Sequence, residues 1–368
     1  MKICILGHYP SDNERYSGVS RVVYNLAHEM SKISDDVVVL KKKRYAKFFK
    51  KEKCGKEKNL TICNVSHIGL IYKLIREKYD IINIHNMSSF FVLPLILKRF
   101  KLIESKIIFV SHGIVDLEKK EKRYDYPLRY ELYQRISIYW SDHIIAVSSY
   151  LKKHIQECYT INGNKISVIG NAVDYHFFQE ARSSTSLYLP KKYALFVGEI
   201  TKIKGLDFLL EAIKKVDITL VLIGKKTPYY DELKKNYSNY FELGQVLHYE
   251  GLDENDLLFT YSNSLFCVLP SRHEPYGLVV LEAMAVGKPV IITDQVGAKE
   301  VIENGQEGFI VPFGDSDILA DIMRNLIENE NIIEKMGMLA KKKALENTWE
   351  IKAREYYNLY NNIIKKYG

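Results

Sequence analysis

Two glutamates eight positions apart, Glu274 and Glu282, lie in the segment PSRHEPYGLVVLEAMAVGKPVIITD, residues 270–294. Glu274 follows an apolar, strand-like run and precedes Gly277, which opens a helical stretch. Glu282 falls inside that stretch among Val279, Val280, Leu281, Ala283, Met284 and Ala285. A carboxylate in such company is costly unless it has a partner. At 1.5 Å of rise per helical residue, the two carboxylates are on the order of 12 Å apart. An acid and a nucleophile acting on one glycosidic bond need about 5 Å, so that chemistry is excluded. The span suits two separate sets of hydroxyls, those of a sugar at Glu274 and those of a ribose at Glu282. A diphosphate between them would lie over the N–H groups of Gly277 and Leu278, where the helix dipole favours anions. A solvent-facing or capping glutamate is the plain alternative for Glu282.

A second segment, FVGEITKIKGLDFLLEAI (196–213), ends a strand at Gly198, carries Lys202 and Lys204 in a loop, and starts a helix near Gly205. A diphosphate leaving group gains negative charge as its bond breaks. A fixed cation there stabilises the transition state more than the ground state, and Lys204 is assigned that role. The alternative is a solvated loop lysine. Three places stand out in the first half. Ser17-Gly18-Val19 follows the first strand and precedes a helix, so its backbone could approach a phosphate. It lacks the GxGxxG pattern, which disfavours a dinucleotide site. His112, in SHG, follows the strand KIIFV, and Asn171, in GNAVD, closes the last strand of that half. A hydrogen-bonded core histidine is the competing reading of His112.

These residues require elements that deliver strand ends to one place. Apolar runs KICILG, VVVL, IINIH, KIIFV and HIIAVS alternate with helical stretches such as 19–33 and 88–100. Continuous apolar strands separated by helices indicate a parallel sheet covered on both faces. Residues 179–192 read QEARSSTSLYLPKK and break the pattern, as a linker would. The alternation then restarts with YALFVGEI, ITLVLIG, VLHYEG, LFCVLPS, PVIITD and GFIVP. Two doubly wound α/β domains are therefore expected, at 1–178 and 193–349, facing across a cleft. Ligands of open α/β sheets bind beyond the carboxyl ends of the strands. Past about Asp315 the chain reads as mostly helical. Asp315 and Asp317 look like a DxD metal pair but sit at a helix start, where capping is the better reading.

Together the two carboxyl-half segments resemble the retaining glycosyltransferases of family 4, which have the GT-B fold, two Rossmann-like domains facing across a cleft. The family's E-x7-E motif matches Glu274 and Glu282, with EAMAxGxPVI intact at 282–291. Its downstream Gly and Glu match Gly297 and Glu300, Gly308 follows at the usual distance, and its Lys-Gly pair matches Lys204 and Gly205. The resemblance implies a donor set of Gly18, Lys202, Lys204, Glu274, Tyr276, Gly277, Leu278 and Glu282. It makes His112, Lys204 and Glu274 the catalytic candidates and leaves Asn171 and Glu199 as further cleft residues. It implies a nucleotide-sugar substrate in the carboxyl-terminal domain and a sugar, glycan or lipid-linked acceptor in the amino-terminal one. Transfer would retain anomeric configuration, with a leaving-group phosphate oxygen taking the acceptor proton. Neither a cofactor nor a metal is implied. The final helix, with Trp349 and Tyr356, would pack back on the first domain over about 350–368. Two positions depart from the family. Glu199 stands where an arginine usually follows the strand glycine, and Ser17-Gly18 replaces a double glycine. UDP-sugars and GDP-mannose both fit the motifs; frequency favours a UDP-sugar. A nucleotide-sugar epimerase on the same fold and a catalytically silent binding protein are the competing readings.

The bulk numbers fit an enzyme of two domains. The chain has 368 residues, 47% of them hydrophobic, ample for two cores. Its five cysteines form no CxxC pair, so reduced thiols in a cytoplasmic protein are expected. The start shows no charged, apolar leader, and no run is long enough to span a bilayer. The net charge of +8 is concentrated. Residues Lys41–Lys58 hold ten basic and two acidic side chains, with Tyr45, Phe48 and Phe49 among them. If part of it is helical, Tyr45, Phe48 and Phe49 share one side, an aromatic edge on a basic segment that suits an anionic membrane at the inner surface of the cell. A solvated loop is the alternative, and no nucleic acid partner is expected.

Overall fold

The computed structural model describes residues 1–10, 18–42, 53–120, 126–182 and 187–367. Each apolar run of the first half forms a strand: β1 (Lys2–Leu6), β2 (Asp36–Lys42), β5 (Ile81–Ile84), β6 (Lys106–Ser111) and β7 (His143–Ala146). Three further strands complete the sheet: β3 (Lys53–Glu57), β4 (Leu60–Val65) and β8 (Ile166–Val168). Their order is β3-β4-β2-β1-β5-β6-β7-β8. All neighbours run parallel except β3 and β4. The order reverses between β1 and β5, so the loops after those strands part there.

The helices of this unit are α1 (Gly18–Ile33), α2 (His67–Arg76), α3 (Leu93–Arg99), α4 (Val115–Lys120), α5 (Leu128–Trp140) and α6 (Ser149–Tyr159). The helix expected over 88–100 begins only at Leu93, with Pro94 in its first turn, where a missing N–H costs nothing. Residues before it form a turn on the Ser88 carbonyl.

The second sheet comprises β9 (Tyr193–Val197), β10 (Thr219–Ile223), β11 (Val246–Tyr249), β12 (Phe266–Leu269), β13 (Val290–Thr293) and β14 (Gly308–Val311). It is wholly parallel, in the order β11-β10-β9-β12-β13-β14. Its switch point lies between β9 and β12, the strands that precede the lysine loop and Glu274. Around it lie α7 (Leu206–Ile213), α8 (Pro228–Asn236), α9 (Ser238–Glu242), α10 (Glu254–Asn263), α11 (Leu278–Ala285), α12 (Ser316–Glu328) and α13 (Glu330–Leu345). The chain ends with α14 (Trp349–Tyr367).

By contact, one compact unit gathers Met1–Lys119, Asp125–Asn171 and Trp349–Gly368, and the other holds Ala172–Thr348. The first boundary therefore falls after Asn171 and not after residue 178. The reason is local: the Val173 N–H donates to the Asn347 carbonyl at 3.1 Å, and the Phe177 ring meets Tyr261 edge-on at 5.8 Å. The last helix belongs to the first unit from Trp349 onward. It packs on α1, and its Tyr360 hydroxyl accepts a hydrogen bond from Asn83.

One expectation is corrected at the sheet edge. Cys54 and Cys63 are joined as a disulfide, whereas Cys4, Cys158 and Cys267 remain thiols. Antiparallel pairing of β3 with β4 sets Cys54 directly opposite Cys63, the arrangement that brings two Cβ atoms closest. Free thiols therefore no longer argue for a cytoplasmic setting. Of the basic segment, residues 41–42 and 53–58 are described. Lys41 and Lys42 end β2, and Lys53–Glu57 is a strand. Lys43, Arg44, Tyr45, Lys47, Phe48, Phe49, Lys50 and Lys51 lie outside the described residues. Among those described, no helix is long and apolar enough to cross a membrane.

Candidate active site

Lys204 and Glu274, 70 positions apart in sequence, form an ion pair. Both side chains are mostly buried, at 13% exposure each. Lys204 closes a short 3-10 turn, Lys202–Lys204. Gly205 follows with φ +67°, and a Cβ there would lie 1.9 Å from the Pro270 carbonyl oxygen. Only glycine lets the turn rest against the end of β12, which carries Glu274 a few residues on.

Arg272 clamps the same turn. Its N–H donates to the Ile203 carbonyl at 2.7 Å, and its guanidinium donates to the Lys202 carbonyl at 2.7 Å. The same group makes a two-pronged contact to Asp207, at 2.8 and 2.5 Å, and lies over the Phe313 ring at 4.9 Å. Burial raises the Asp207 carboxyl, but the Arg272 hydrogen bonds and charge outweigh it and hold the group below the usual range. Bidentate pairs of this type fix geometry as well as charge.

The Glu274 loop is held from the other side by the loop after β13. The Glu274 N–H donates to Gln295, Gly297 donates back to Glu274, and Ala298 donates to Tyr276, at 2.8–3.0 Å. Gly277 is the N-cap of α11, and Leu278 is its first residue. Glu282 lies in that helix at 5% exposure and accepts a hydrogen bond from the Tyr261 hydroxyl at 2.8 Å. The partner that a buried carboxylate demands is thus a residue of α10. Lys202 is exposed and Glu199 half-buried, beside Gly198 at the end of β9. Asp315 caps α12, accepting from the Ile318 N–H at 3.0 Å.

In the other unit, Gly18 is exposed at the first position of α1, and Ser17 lies outside the described residues. His112 follows β6 and meets His85, the residue after β5, with Nε2 and Nδ1 3.1 Å apart. Burial pushes His112 down to about 4. Burial, then the charge of His112, lowers His85 further below its ordinary value. Both are neutral near pH 7, so one ring donates to the other. Asn171 is buried at the end of this unit.

The lowered histidines predict a pH signature. The unfolded chain binds protons near pH 6.5 that folded His112 refuses until about pH 4, so stability falls as pH drops through that window. His143, also lowered to about 4 by burial, adds a background shared with any variant. Urea unfolding of His112→Asn should show a shallower loss between pH 6.5 and 4. A slope equal to wild type would mean that the folded protein does not exclude this proton.

Two sequence families cover most of the chain. Residues 177–343 match Glycosyl transferases group 1, and residues 16–177 match Glycosyltransferase Family 4. An uncharacterized 41.2 kDa protein in the cps region of Klebsiella pneumoniae is 30% identical over 280 residues, 72% of this chain and 74% of that one. The capsular polysaccharide biosynthesis glycosyltransferase CapM of Staphylococcus aureus is 29% identical over 252 residues, 64% of this chain and 65% of its own. Among solved structures, sucrose-phosphate synthase from Thermosynechococcus elongatus aligns with a TM-score of 0.80 at 16% identity, covering 99% of both chains. Anabaena HepE in complex with UDP aligns at 0.74 and 18% identity, over 98% of this chain and 100% of that one. The fold is GT-B. The chain belongs to the group 1 glycosyltransferases.

Proposed function

We propose that the protein moves a hexose-type sugar, with retention, from a nucleotide-sugar to a glycan, lipid-linked or small-molecule acceptor. The observation that carries this reading is the Lys204–Glu274 pair at the switch point of the second sheet. Lys204 would meet the leaving diphosphate while Glu274 accepts hydrogen bonds from the sugar. Arg272 and Gly205 keep that pair in register before any substrate arrives, so little reorganisation opposes the reaction. The N–H groups at Gly277 and Leu278 would take phosphate oxygens. Lysines and a helix end then supply the positive charge, and the reading is metal-independent. His112 would stand at the acceptor side, neutral and able to share a hydrogen bond with a hydroxyl.

A UDP-sugar is the favoured donor. HepE, of the same fold, is described in complex with UDP and with UDP-glucose, which supports a nucleotide-sugar and leaves the base to be tested here. Glu199 in place of the usual arginine shifts the anion contact to Lys202. Peripheral attachment of the acceptor unit to an anionic membrane completes the reading.

The test is a thermal-shift and turnover screen against UDP- and GDP-sugars, because a ligand that binds only the folded state raises Tm. Release of nucleoside diphosphate with acceptor present supports transfer; an epimerised donor without acceptor supports the other chemistry. Glu282→Ala should weaken both donor and free nucleoside diphosphate by about tenfold or more, the loss of one charged hydrogen bond. Glu282→Gln, which still accepts from Tyr261, separates the ligand from the fold. Equal nucleotide affinity in both variants would remove Glu282 from the donor site.

A further inference from the structure

We propose that the outer face of α2, α3 and α5 is a docking surface for an anionic lipid bilayer. Among the described residues, large exposed apolar side chains of the first unit gather on α2, on α5 and just past the end of α3. On α2, Leu70 and Leu74 are buried, whereas Ile68, Tyr72 and Ile75 point outward at spacings of four and three. On α5, Leu128, Leu132 and Tyr139 follow the same rule along one stripe, and Trp140 stands beside them. Leu128 is 78% exposed and Ile68 71%. Between the two lies α3, packed beside both, and past its end Phe100 and Leu102 are exposed at 72% and 53%. Exposed apolar side chains grouped on neighbouring helices mark an interaction surface.

Charge identifies the occupant. The Arg99 guanidinium lies over the Trp140 ring at 6.0 Å and joins the end of α3 to the end of α5. Arg76 lies over Tyr72 at 5.5 Å and Arg129 over Tyr130 at 5.7 Å. Three nearby acids face other cations: Glu77 meets Lys73, Asp142 meets Lys98, and Glu131 meets Lys119, while Glu104 is exposed beyond Leu102. The face therefore presents apolar and aromatic groups rimmed with arginine, the composition of a membrane interface. A second copy fits less well, since a two-fold contact would set one arginine-rimmed patch against the same patch of the other copy. The proposal rests on the membrane part of the proposed function and moves the contact from Lys41–Lys58 to a folded surface. Vesicle binding needs no turnover, so it stands or fails apart from the transferase chemistry.

The chain has two tryptophans, and Trp349 is buried at 5% exposure, so Trp140 reports on this face. With the full-length protein and vesicles of phosphatidylglycerol and phosphatidylcholine, co-sedimentation and a blue shift of tryptophan emission are expected. Brominated acyl chains should quench that emission, and pure phosphatidylcholine should give neither signal. A Phe100→Ser, Leu128→Ser, Leu132→Ser triple variant should lose about tenfold or more in vesicle affinity while keeping a cooperative thermal transition and the wild-type circular dichroism spectrum. Changing Lys41, Lys42, Lys43 and Lys47 to glutamine should cost less than the triple variant. The proposal is overturned by a triple variant that binds like wild type, by equal binding to neutral vesicles, by no binding at all, or by a lysine variant that loses as much. A wild-type dimer that the triple variant converts to monomer would make a second copy the occupant.

Discussion

Lys204→Ala should lower turnover by about 10²-fold or more, the effect of removing one preorganised group that meets developing charge. Acceptor affinity should change far less. The pair makes the experiment sharper than a single substitution. Lys204 and Glu274 are each only 13% exposed, so deleting the lysine also leaves a mostly buried carboxylate without its cation. That penalty acts on the folded protein and on donor binding, whereas loss of leaving-group stabilisation acts on kcat. Glu274→Gln, Lys204→Ala and the double variant form a cycle, and residues in direct contact should prove strongly non-additive. Lys204→Arg keeps charge but not the compact ammonium, so partial rescue is expected. Nucleoside diphosphate release under saturating donor is the measurement. Near-wild-type kcat in Lys204→Ala would transfer the role to exposed Lys202, two residues earlier on the same turn.

The repeating elements were legible because buried parallel strands are written as unbroken apolar runs. KICILG, IINIH, KIIFV, YALFV and PVIITD each became a strand at the expected place. Glu274, Lys204 and His112 stood out as candidates because each follows such a run, and Glu282 because a carboxylate inside an apolar helix needs a partner. Their partners did not. Arg272 and Asp207 are 65 positions apart, and Tyr261 and Glu282 are 21 apart on different helices. Pairing over such distances is decided by strand order, which no local spacing carries. His85 could have been found: it ends IINIH as His112 follows KIIFV, and β5 and β6 are neighbours. The lysine run concealed β3, because its composition reads as a solvated segment while the pairing with β4 depends on the partner strand. The disulfide was missed for the same reason. The domain boundary moved by a few residues because two contacts, one of backbone at Val173 and one of rings at Phe177, tie those residues to the second unit ahead of the polar stretch 179–192.

Gly205→Ala should be the most damaging small substitution in the second unit. Its φ of +67° costs an alanine on the order of 1 kcal/mol. The added Cβ would also lie 1.9 Å from the Pro270 oxygen, an overlap with backbone that no rotamer relieves. Either β12 or the lysine turn must shift, and the combined penalty should be about 2–4 kcal/mol. For a unit of this size that lowers Tm by about 5–10 °C. Gly244→Ala supplies the control: its φ of +73° is nearly the same, and nothing lies within 4 Å of the added carbon. It should lose only the backbone part. Turnover separates the two more widely than stability does. A displaced turn moves Lys204 away from Glu274, and misplacement by about 1 Å can cost 10²-fold in rate, whereas Gly244 lies in the turn before β11, away from the pair in sequence. Equal melting temperatures and equal turnover for the two variants would show that the approach of Gly205 to β12 does not hold the lysine in place.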